Sequence, residues 1–363
     1  MEKHSQNPFK FGSTVENDFF TDRTSETRDV RSVMNSRNHL ILISPRRFGK
    51  TSLVNKAAST LNRPYIYLDL QLVTDVSDIA TQLLKKVLKI DKWEKVKHFL
   101  TNLRITPTIA INPLTNDVEV SFPTSTTQND SKDFSRLEDV LDLIENIGKK
   151  GKRPIVVFDE FQEIMSLSSH LSKQLRAVIQ HHQNVNYVFL GSMESMMIEI
   201  FERKKSPFYH FGHLMTLKKI PYNDFYEYLQ TRLKKITNQN NKLSTEILEF
   251  TDSHPYYTQQ LAYYTWDYLE KNKYTKEILG EVTERIVSAH NIDYERLWNT
   301  MNSNEKKILI TLCAQKKIST LQQPTSTTYS GLNRLMKQGY VVKNENYELE
   351  DPFFNLWIIN RRK

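Results

Sequence analysis

Short apolar runs alternate with segments of helical periodicity along the first part of the chain. The runs are rich in Val, Ile, Leu and Phe, and each has a length suited to one buried strand; they lie at residues 39–43, 64–70, 154–158, 186–190 and 214–217. Between them, apolar residues recur three and four positions apart, as in Leu53, Val54, Ala57, Ala58 and Leu61. Strands that alternate with helices predict a parallel sheet with right-handed crossovers, so the predicted fold class is α/β.

The first predicted domain spans residues 1–220 and contains one irregular insertion. Residues 101–131 are rich in Thr, Asn, Pro and Ser, yet residues 118–122 alternate between apolar and polar side chains. This combination predicts a hairpin insertion. A surface loop without a function and a surface for a partner are both open interpretations of it.

The pattern becomes helical and aromatic after this domain. Phe, Tyr and Trp recur at helical spacing, which predicts a small helical domain at residues 221–295. The order of elements in the last part, residues 296–363, is that of a winged helix. Its predicted elements are helices at 305–315 and 329–338 and a hairpin with strands at 339–343 and 347–349.

Residues 44–51, between the first predicted strand and helix, have the pattern of a phosphate-binding P-loop and read Ser-Pro-Arg-Arg-Phe-Gly-Lys-Thr. Such a loop works because its amides and the free N–H groups of the following helix bind phosphate. Lys50 is expected to contact the β- and γ-phosphates, and the Thr51 hydroxyl is expected to bind Mg²⁺. The predicted nucleotide-binding residues here are Ser44, Pro45, Arg46, Arg47, Phe48, Gly49, Lys50, Thr51 and Ser52. The alternative is an ordinary turn before a helix.

Ser44 departs from the usual pattern of such loops. The pattern has Gly at this position, and Gly adopts left-handed backbone conformations freely. The loop must therefore begin without that freedom.

Two carboxylates follow the apolar run at residues 154–158. Asp159, at the end of a predicted buried strand, is expected to hold Mg²⁺ through water. Glu160 is expected to polarise the water that attacks the γ-phosphate. The alternative is that both residues only favour the start of the next helix. Ser192, after the following strand, is a candidate γ-phosphate sensor, with a plain turn residue as its alternative.

With these elements in order, the chain resembles the archaeal-type ATPases of the STAND branch of AAA+-like P-loop proteins. The resemblance rests on residues 19–26, on 45–53, on the acidic pair, on 253–257 and on 351–357. It implies a P-loop NTPase sheet with a helical lid and a C-terminal winged-helix domain, and ATP as the ligand. It also implies that Asp22 and Arg23 lie near the adenine and that Pro255, at a helix start, lies close to the nucleotide.

One position departs from that family. His213 has the approximate place of an Arg that approaches the phosphates in such proteins, and imidazole is charged only part of the time near neutral pH. An arginine from a partner, or Arg46, Arg47 or Arg176, is expected to supply the missing charge. Solvated basic surface is the alternative for Arg46 and Arg47.

Composition narrows the class of protein. The net charge is +8, which is compatible with an anionic partner without requiring one, and 39% of the residues are hydrophobic. No apolar stretch approaches the roughly 20 residues needed to cross a bilayer, and the amino end is polar. The single cysteine, Cys313, has helical spacing with apolar neighbours and is predicted to lie in the core. We expect a cytoplasmic protein that makes no membrane contact.

The leading hypothesis is an Mg²⁺-dependent ATPase that acts as a nucleotide-controlled conformational switch on DNA or a protein partner, including a second copy of itself. The alternative is a non-enzymatic regulator or DNA-binding module that holds ATP or ADP as a structural ligand. Phosphotransfer to a small molecule is a weaker third hypothesis.

Winged helices contact DNA or serve as packing modules, and both interpretations stay open for the last domain. The residues available for DNA contact are Ser326, Thr327, Thr328, Tyr329, Asn333, Arg334 and Lys337.

Overall fold

The computed structural model describes residues 6–15, 19–20, 23–90, 103–111, 118–122, 130–321, 323–343 and 346–362. Asp22 and about half of the predicted insertion at 101–131 lie outside these residues. The strands, in chain order, are β1 Leu40–Ile43, β2 Tyr65–Asp69, β3 Thr108–Ile111, β4 Val118–Ser121, β5 Ile155–Asp159, β6 Asn186–Gly191, β7 His213–Thr216, β8 Val341–Lys343 and β9 Tyr347–Leu349.

Helices connect most of the strands and form about two thirds of the chain after β7. In chain order they are α1 Thr24–Asn35, α2 Lys50–Ser59, α3 Val76–Ile90, α4 Asp130–Lys150, α5 Ile164–Leu167, α6 Leu171–Ile179, α7 Glu194–Phe201, α8 Tyr222–Leu233, α9 Asn240–Thr251, α10 Pro255–Lys271, α11 Ile278–Ala289, α12 Asn291–Thr300, α13 Ser303–Cys313, α14 Thr325–Lys337 and α15 Pro352–Asn360. Among the described residues, none of these helices has the length and apolar content needed to span a membrane.

The five predicted strands of the first domain form one sheet in the order β2-β5-β6-β1-β7, and every pair in it is parallel. The prediction of an α/β fold with a parallel sheet is therefore confirmed. The central strands are buried along their whole length, because helices cover both faces of such a sheet. Strands β3 and β4 pair as a separate antiparallel hairpin, so the described part of the insertion contains the predicted hairpin.

The chain divides into two compact units. One comprises Thr24–Ser44 and Leu53–Leu217, and its core lies between the five-stranded sheet and the helices from α3 to α7. The other comprises Met1–Arg23, Pro45–Ser52 and Lys218–Lys363, and its aromatic core includes Phe9, Tyr257 and Trp266. The three-domain boundaries at 1–220, 221–295 and 296–363 stay a prediction.

Helix ends in the last part of the chain are set by local capping. Helix α13 begins at Ser303 because the Asn302 side chain accepts from the Glu305 N–H, while the Glu305 carboxylate accepts from the Asn302 N–H. Helix α14 begins four residues before the predicted start, directly after Pro324. Strands β8 and β9 pair antiparallel as the predicted hairpin. Cys313 is buried at the end of α13, as the sequence predicts.

His39, directly before β1, is a buried base that links stability to pH. Its Nδ1 accepts a 3.2 Å hydrogen bond from the Tyr187 N–H, so this nitrogen carries no proton. Burial, followed by the charges of Arg176 and His182, lowers the pKa of His39 from 6.5 to about 4. As the pH falls below 6.5 the unfolded chain binds a proton that the folded chain does not, and stability falls until the pH reaches about 4.

We therefore predict that His39→Gln reduces the acid sensitivity of the fold. The amide can still accept from Tyr187 but cannot be protonated, so the pH-dependent loss is removed. Between pH 7.5 and pH 5.0 the loss in free energy of unfolding should be about 2 kcal/mol smaller than in the wild type. Urea denaturation at both pH values measures it. The exposed His181→Gln is the matched control and should behave like the wild type; an unchanged pH dependence in His39→Gln would contradict the assignment.

Candidate functional site

Three predicted site residues lie at the carboxyl edge of the five-stranded sheet. Ile43 pairs with Gly191 where β1 and β6 end, and Phe158 pairs with Phe189 one residue before β5 ends at Asp159. Ser44 and Ser192 directly follow β1 and β6, so both lie at the edge where Asp159 lies. This is the edge at which open α/β sheets bind ligands.

Ser44 begins the loop without the conformation that Gly would provide. Its backbone φ is not positive, and its N–H donates to the Gly191 carbonyl at 3.2 Å. The side chain is 1% exposed. A hydrogen bond to the neighbouring strand therefore fixes the start of the loop, and the departure from Gly at this position costs no backbone strain.

Asp159 is held on both carboxylate oxygens. The Tyr67 hydroxyl donates to Oδ2 at 2.7 Å, and the Glu160 N–H donates to Oδ1 at 2.9 Å. The side chain is only 6% exposed. On β2, burial raises the pKa of Asp69, and the charges of Asp159 and Glu160 add to the effect. The sheet edge is therefore rich in negative charge, which suits a cation.

Glu160 has a strained backbone and a fixed side chain. Its φ and ψ are 52° and 47°, in the left-handed region that residues other than Gly rarely adopt. Its Oε2 accepts from the Ser192 hydroxyl at 2.5 Å and from the Gln162 amide at 2.5 Å. The structure thus brings Glu160 and Ser192 together, from the ends of neighbouring strands. Such strain is concentrated at functional sites.

The expected positions of His213 and Arg176 are wrong. His213 opens β7 and pairs with Leu40, the first residue of β1, so it lies at the amino edge of the sheet. Three further residues of β1 separate that register position from its carboxyl end, which corresponds to about 10 Å at 3.3 Å per residue. Arg176 stacks on Phe211 at 4.4 Å, and its charge acts on His39, next to the same amino edge. Neither residue lies at the carboxyl edge.

The backbone of the loop after Ser44 has the geometry of an anion-binding nest. The angle φ is positive at Arg47 (63°) and at Gly49 (86°), and it is negative at the residues before, between and after them. Alternation of this kind turns successive N–H groups towards one concavity. Helix α2 begins at Lys50, so its first N–H groups follow directly. The Lys50 ammonium donates to the Pro45 carbonyl at 3.0 Å, and its side chain is 6% exposed.

Contacts from distant parts of the sequence hold the loop in this form. The buried Arg23 guanidinium donates to the carbonyls of Phe48 (3.2 Å) and Lys218 (3.0 Å). The Val15 N–H donates to the Ser52 hydroxyl at 3.1 Å. Arg23 is therefore a loop anchor in this structure. The expected adenine contact of Asp22 falls outside the described residues.

Other predicted residues have simpler placements. Arg46 is exposed, and Thr51 is half-buried in the first turn of α2. Pro255 is the first residue of α10, and the His254 ring caps that helix by accepting from the N–H groups of Tyr256 and Tyr257. Pro255 thus stands at a helix start, as the sequence predicts. Arg47 binds the Tyr257 hydroxyl at 3.0 Å.

The donor atoms present fit magnesium better than a transition metal. Within the described residues, no group of three or more His, Cys, Asp and Glu side chains could hold a metal. Asp159 offers hard oxygen atoms, the ligand type that Mg²⁺ prefers. Mg²⁺ usually takes only one or two protein ligands and completes its shell with water and phosphate oxygens, so a larger cluster is not required.

Sequence reasoning missed Tyr67 and Gln162. Tyr67 lies on β2, one strand away from the acidic pair, and only the order of the strands shows that it reaches Asp159. Gln162 lies two residues after Glu160, and only the structure shows that its side chain is fully buried and bonded to Glu160. Its neighbours include Glu160 and Glu163, so no local pattern marks it in the sequence.

Comparison with known proteins agrees with this geometry. The sequence profile of an ATPase domain found predominantly in Archaea matches residues 20–261. No curated protein matches the chain. A Walker-type ATPase of Pyrococcus abyssi has the same fold, with a TM-score of 0.68 at 16% identity over 97% of this chain and 99% of that chain.

Two structures of the ORC2 protein of Aeropyrum pernix are also similar. The form described as ADPNP–ADP complexes has a TM-score of 0.53 at 12% identity, with 94% of each chain covered. The ADP form has a TM-score of 0.51 at 12% identity, with 94% of this chain and 95% of that chain covered. At these identities the likeness concerns the fold, which is that of P-loop ATPases. The family profile, in contrast, covers well over half of the chain and includes both the loop and the acidic pair. The chain therefore belongs to the family of ATPase domains found predominantly in Archaea.

Proposed function

We propose that the protein binds ATP with Mg²⁺, hydrolyses it and uses the cycle as a conformational switch. The observation that carries the proposal is Glu160, which has a left-handed backbone and is hydrogen-bonded to Ser192 at the tip of the next strand. A residue that only capped a helix would not require this conformation or this partner. Membership in an ATPase family and the nucleotide complexes of the structurally similar ORC2 protein support ATP or ADP as the ligand.

The loop and the acidic pair have distinct roles in this proposal. The nest around Arg47 and Gly49 and the first turn of α2 bind phosphate oxygens, and Lys50 neutralises the β- and γ-phosphates. Thr51 and Asp159 would hold Mg²⁺, which would supply charge neutralisation to the phosphates. The bond from Tyr67 keeps the Asp159 carboxylate in one orientation.

Glu160 acts on the attacking water. Both of its side-chain hydrogen bonds end on Oε2, and we assign Oε1 to the water. Ser192 orients the carboxylate. It directly follows β6 at the carboxyl edge of the sheet, where we place the γ-phosphate, and it is therefore the sensor in this proposal. Proton transfer to a positioned carboxylate contributes about 10²- to 10⁴-fold to rate.

The C-terminal parts complete the proposal. We assign residues 221–295 to a helical lid and residues 296–363 to a winged helix, because β8 and β9 follow α14 as an antiparallel hairpin. The resemblance of the segments at 45–53, 253–257 and 351–357 to the STAND branch of AAA+-like proteins supports this part of the proposal. Binding of ATP and of ADP by different arrangements of the lid is the two-state element that a switch requires.

The exposed face of α14 favours DNA as a second candidate partner. Tyr329 is 59% exposed, and Ser326, Thr327 and Lys337 are also exposed. Thr328, expected on that face, is buried, and Arg334 is exposed but forms an ion pair at 3.0 Å with the buried carboxylate of Glu305. A smaller set of phosphate contacts than the sequence predicts is therefore available.

Glu160→Gln should separate binding from hydrolysis. The amide retains the shape of the side chain but cannot accept the proton, so turnover should fall about 10²- to 10⁴-fold while ATP remains bound. Phosphate release and equilibrium binding of ATP measure the two effects. The neighbouring Glu163→Gln is the control and should keep wild-type turnover. Unchanged turnover in Glu160→Gln would refute the assignment. No phosphate release from the wild type, with or without DNA, would favour the non-enzymatic alternative.

Lys50→Ala should mainly lose nucleotide affinity. Loss of a charged contact to phosphate costs about 1.5–3 kcal/mol, which corresponds to roughly 10- to 150-fold in the dissociation constant. Isothermal titration with ATP and Mg²⁺ measures this change. Lys56→Ala, on the same helix, should bind ATP like the wild type. Normal affinity in Lys50→Ala would remove the phosphate-binding role from the loop.

Lys337→Glu should weaken DNA binding if α14 contacts phosphates. Each lost phosphate contact lowers the slope of log affinity against log salt by about one, so the slope and the affinity should both fall. Fluorescence anisotropy with a short duplex at several salt concentrations tests this. The exposed Lys204→Glu, outside α14, is the charge-matched control. Absence of wild-type binding at low salt would leave docking to protein as the role of this domain.

A further inference from the structure

Four residues from three separate segments connect the phosphate loop with the start of α15. The Arg47 guanidinium donates to the Tyr257 hydroxyl at 3.0 Å, and that hydroxyl donates to Glu350 Oε2 at 2.6 Å. His254 contacts the other oxygen, Glu350 Oε1, at 3.0 Å. We name Arg47, Tyr257, His254 and Glu350 the Tyr257 relay. It joins residues that are 93 positions apart between Tyr257 and Glu350.

The hydrogen-bond pattern of the relay fixes the direction of each bond. His254 Nδ1 accepts from the N–H groups of Tyr256 and Tyr257, so the ring proton lies on Nε2 and is donated to Glu350. The Glu350 carboxylate therefore accepts on both oxygens. Tyr257 accepts from Arg47 and donates to Glu350 with the same hydroxyl. Tyr257 is 1% and His254 2% exposed, so the bonds that these two residues make to Glu350 are largely shielded from water, whereas Arg47 reaches Tyr257 from the exposed side.

The relay contacts the loop at the residues that give it its shape. Arg47 has one of the two positive φ values in the nest, and its guanidinium also lies 4.7 Å from the centre of the Tyr256 ring. The neighbouring Phe48 packs edge-on against the His254 ring at 4.9 Å. An arginine in the left-handed region persists only when its surroundings hold it there. Here the surroundings are the first turn of α10 and, through Tyr257, Glu350.

We propose that Glu350 is a positioning residue for the phosphate loop, which acts on Arg47 through Tyr257 and on Phe48 through His254. The role in nucleotide binding rests on the proposed function. The role in loop conformation does not. A displacement of Glu350 then changes the loop, and by reciprocity a ligand in the loop changes the position of Glu350. The C-terminal segment thereby controls the affinity of the loop for phosphate.

Hydrogen exchange of the nucleotide-free, full-length protein tests the loop directly. Tyr257→Phe keeps the buried ring and removes both of the hydroxyl's bonds, so amides in residues 46–52 should exchange about tenfold faster than in the wild type. Glu350→Gln should have the same effect in the same direction. Tyr294→Phe is the matched control. Tyr294 is also buried, and its hydroxyl donates at 3.1 Å to Asp351, the residue that follows Glu350, and not to Glu350 itself. It should leave loop exchange unchanged.

Affinity for Mg-ATP supplies the second readout. Tyr257→Phe and Glu350→Gln should each weaken the binding of Mg-ATP about tenfold. The double variant should bind no less tightly than the weaker-binding single variant, because both substitutions interrupt the same series of hydrogen bonds. Wild-type loop exchange in Tyr257→Phe, or equal acceleration in Tyr294→Phe, would overturn the proposal. Failure of the wild type to bind ATP would refute the proposed function, while the exchange result would still decide the relay.

Discussion

The parallel pairing of β5, β6 and β1 is the constraint on which the rest of the structure depends. These three adjacent strands end at one edge, so Asp159, Ser192 and the start of the phosphate loop at Ser44 follow from one register. The strands are buried on both faces, and a slip of one residue along β5 would move the carboxylate of Asp159 towards this apolar core. The apolar sheet core therefore also fixes the position of the polar groups at its edge. The burial of apolar side chains, which drives folding, thus also sets where these polar groups lie.

Backbone strain is concentrated where polar groups must be held. Glu160 and Arg47 have φ values of 52° and 63°, and such conformations cost of order 1–3 kcal/mol each. Each is offset by contacts that only the folded chain provides. Ser192 and Gln162 bond Glu160, and Tyr257 bonds Arg47. Gly49 has a φ of 86° at little cost, because it lacks a Cβ atom. The loop thus combines one residue that is free to adopt its conformation with one that is held.

Local patterns predicted much of this molecule. The five strands, the loop and the acidic pair could be predicted because each is a contiguous segment with its own periodicity or spacing. The edge of the sheet at which a residue lies could not be predicted. His213 was expected near the phosphates, but it opens β7 instead of ending it, and an error of a few residues moves a side chain to the opposite edge. Contacts between distant segments, such as Arg334 with Glu305 and Tyr257 with Glu350, leave no periodic signal at all.

The proposed function requires that one Mg-ATP binds between the loop and the acidic pair. A crystal structure of the protein with Mg²⁺ and a non-hydrolysable ATP analogue decides this. We expect a γ-phosphate oxygen within hydrogen-bond distance of Lys50 Nζ, with Mg²⁺ bound by the Thr51 hydroxyl and linked to Asp159 through water. An analogue that binds elsewhere, or a metal that contacts neither Thr51 nor a water on Asp159, would contradict it.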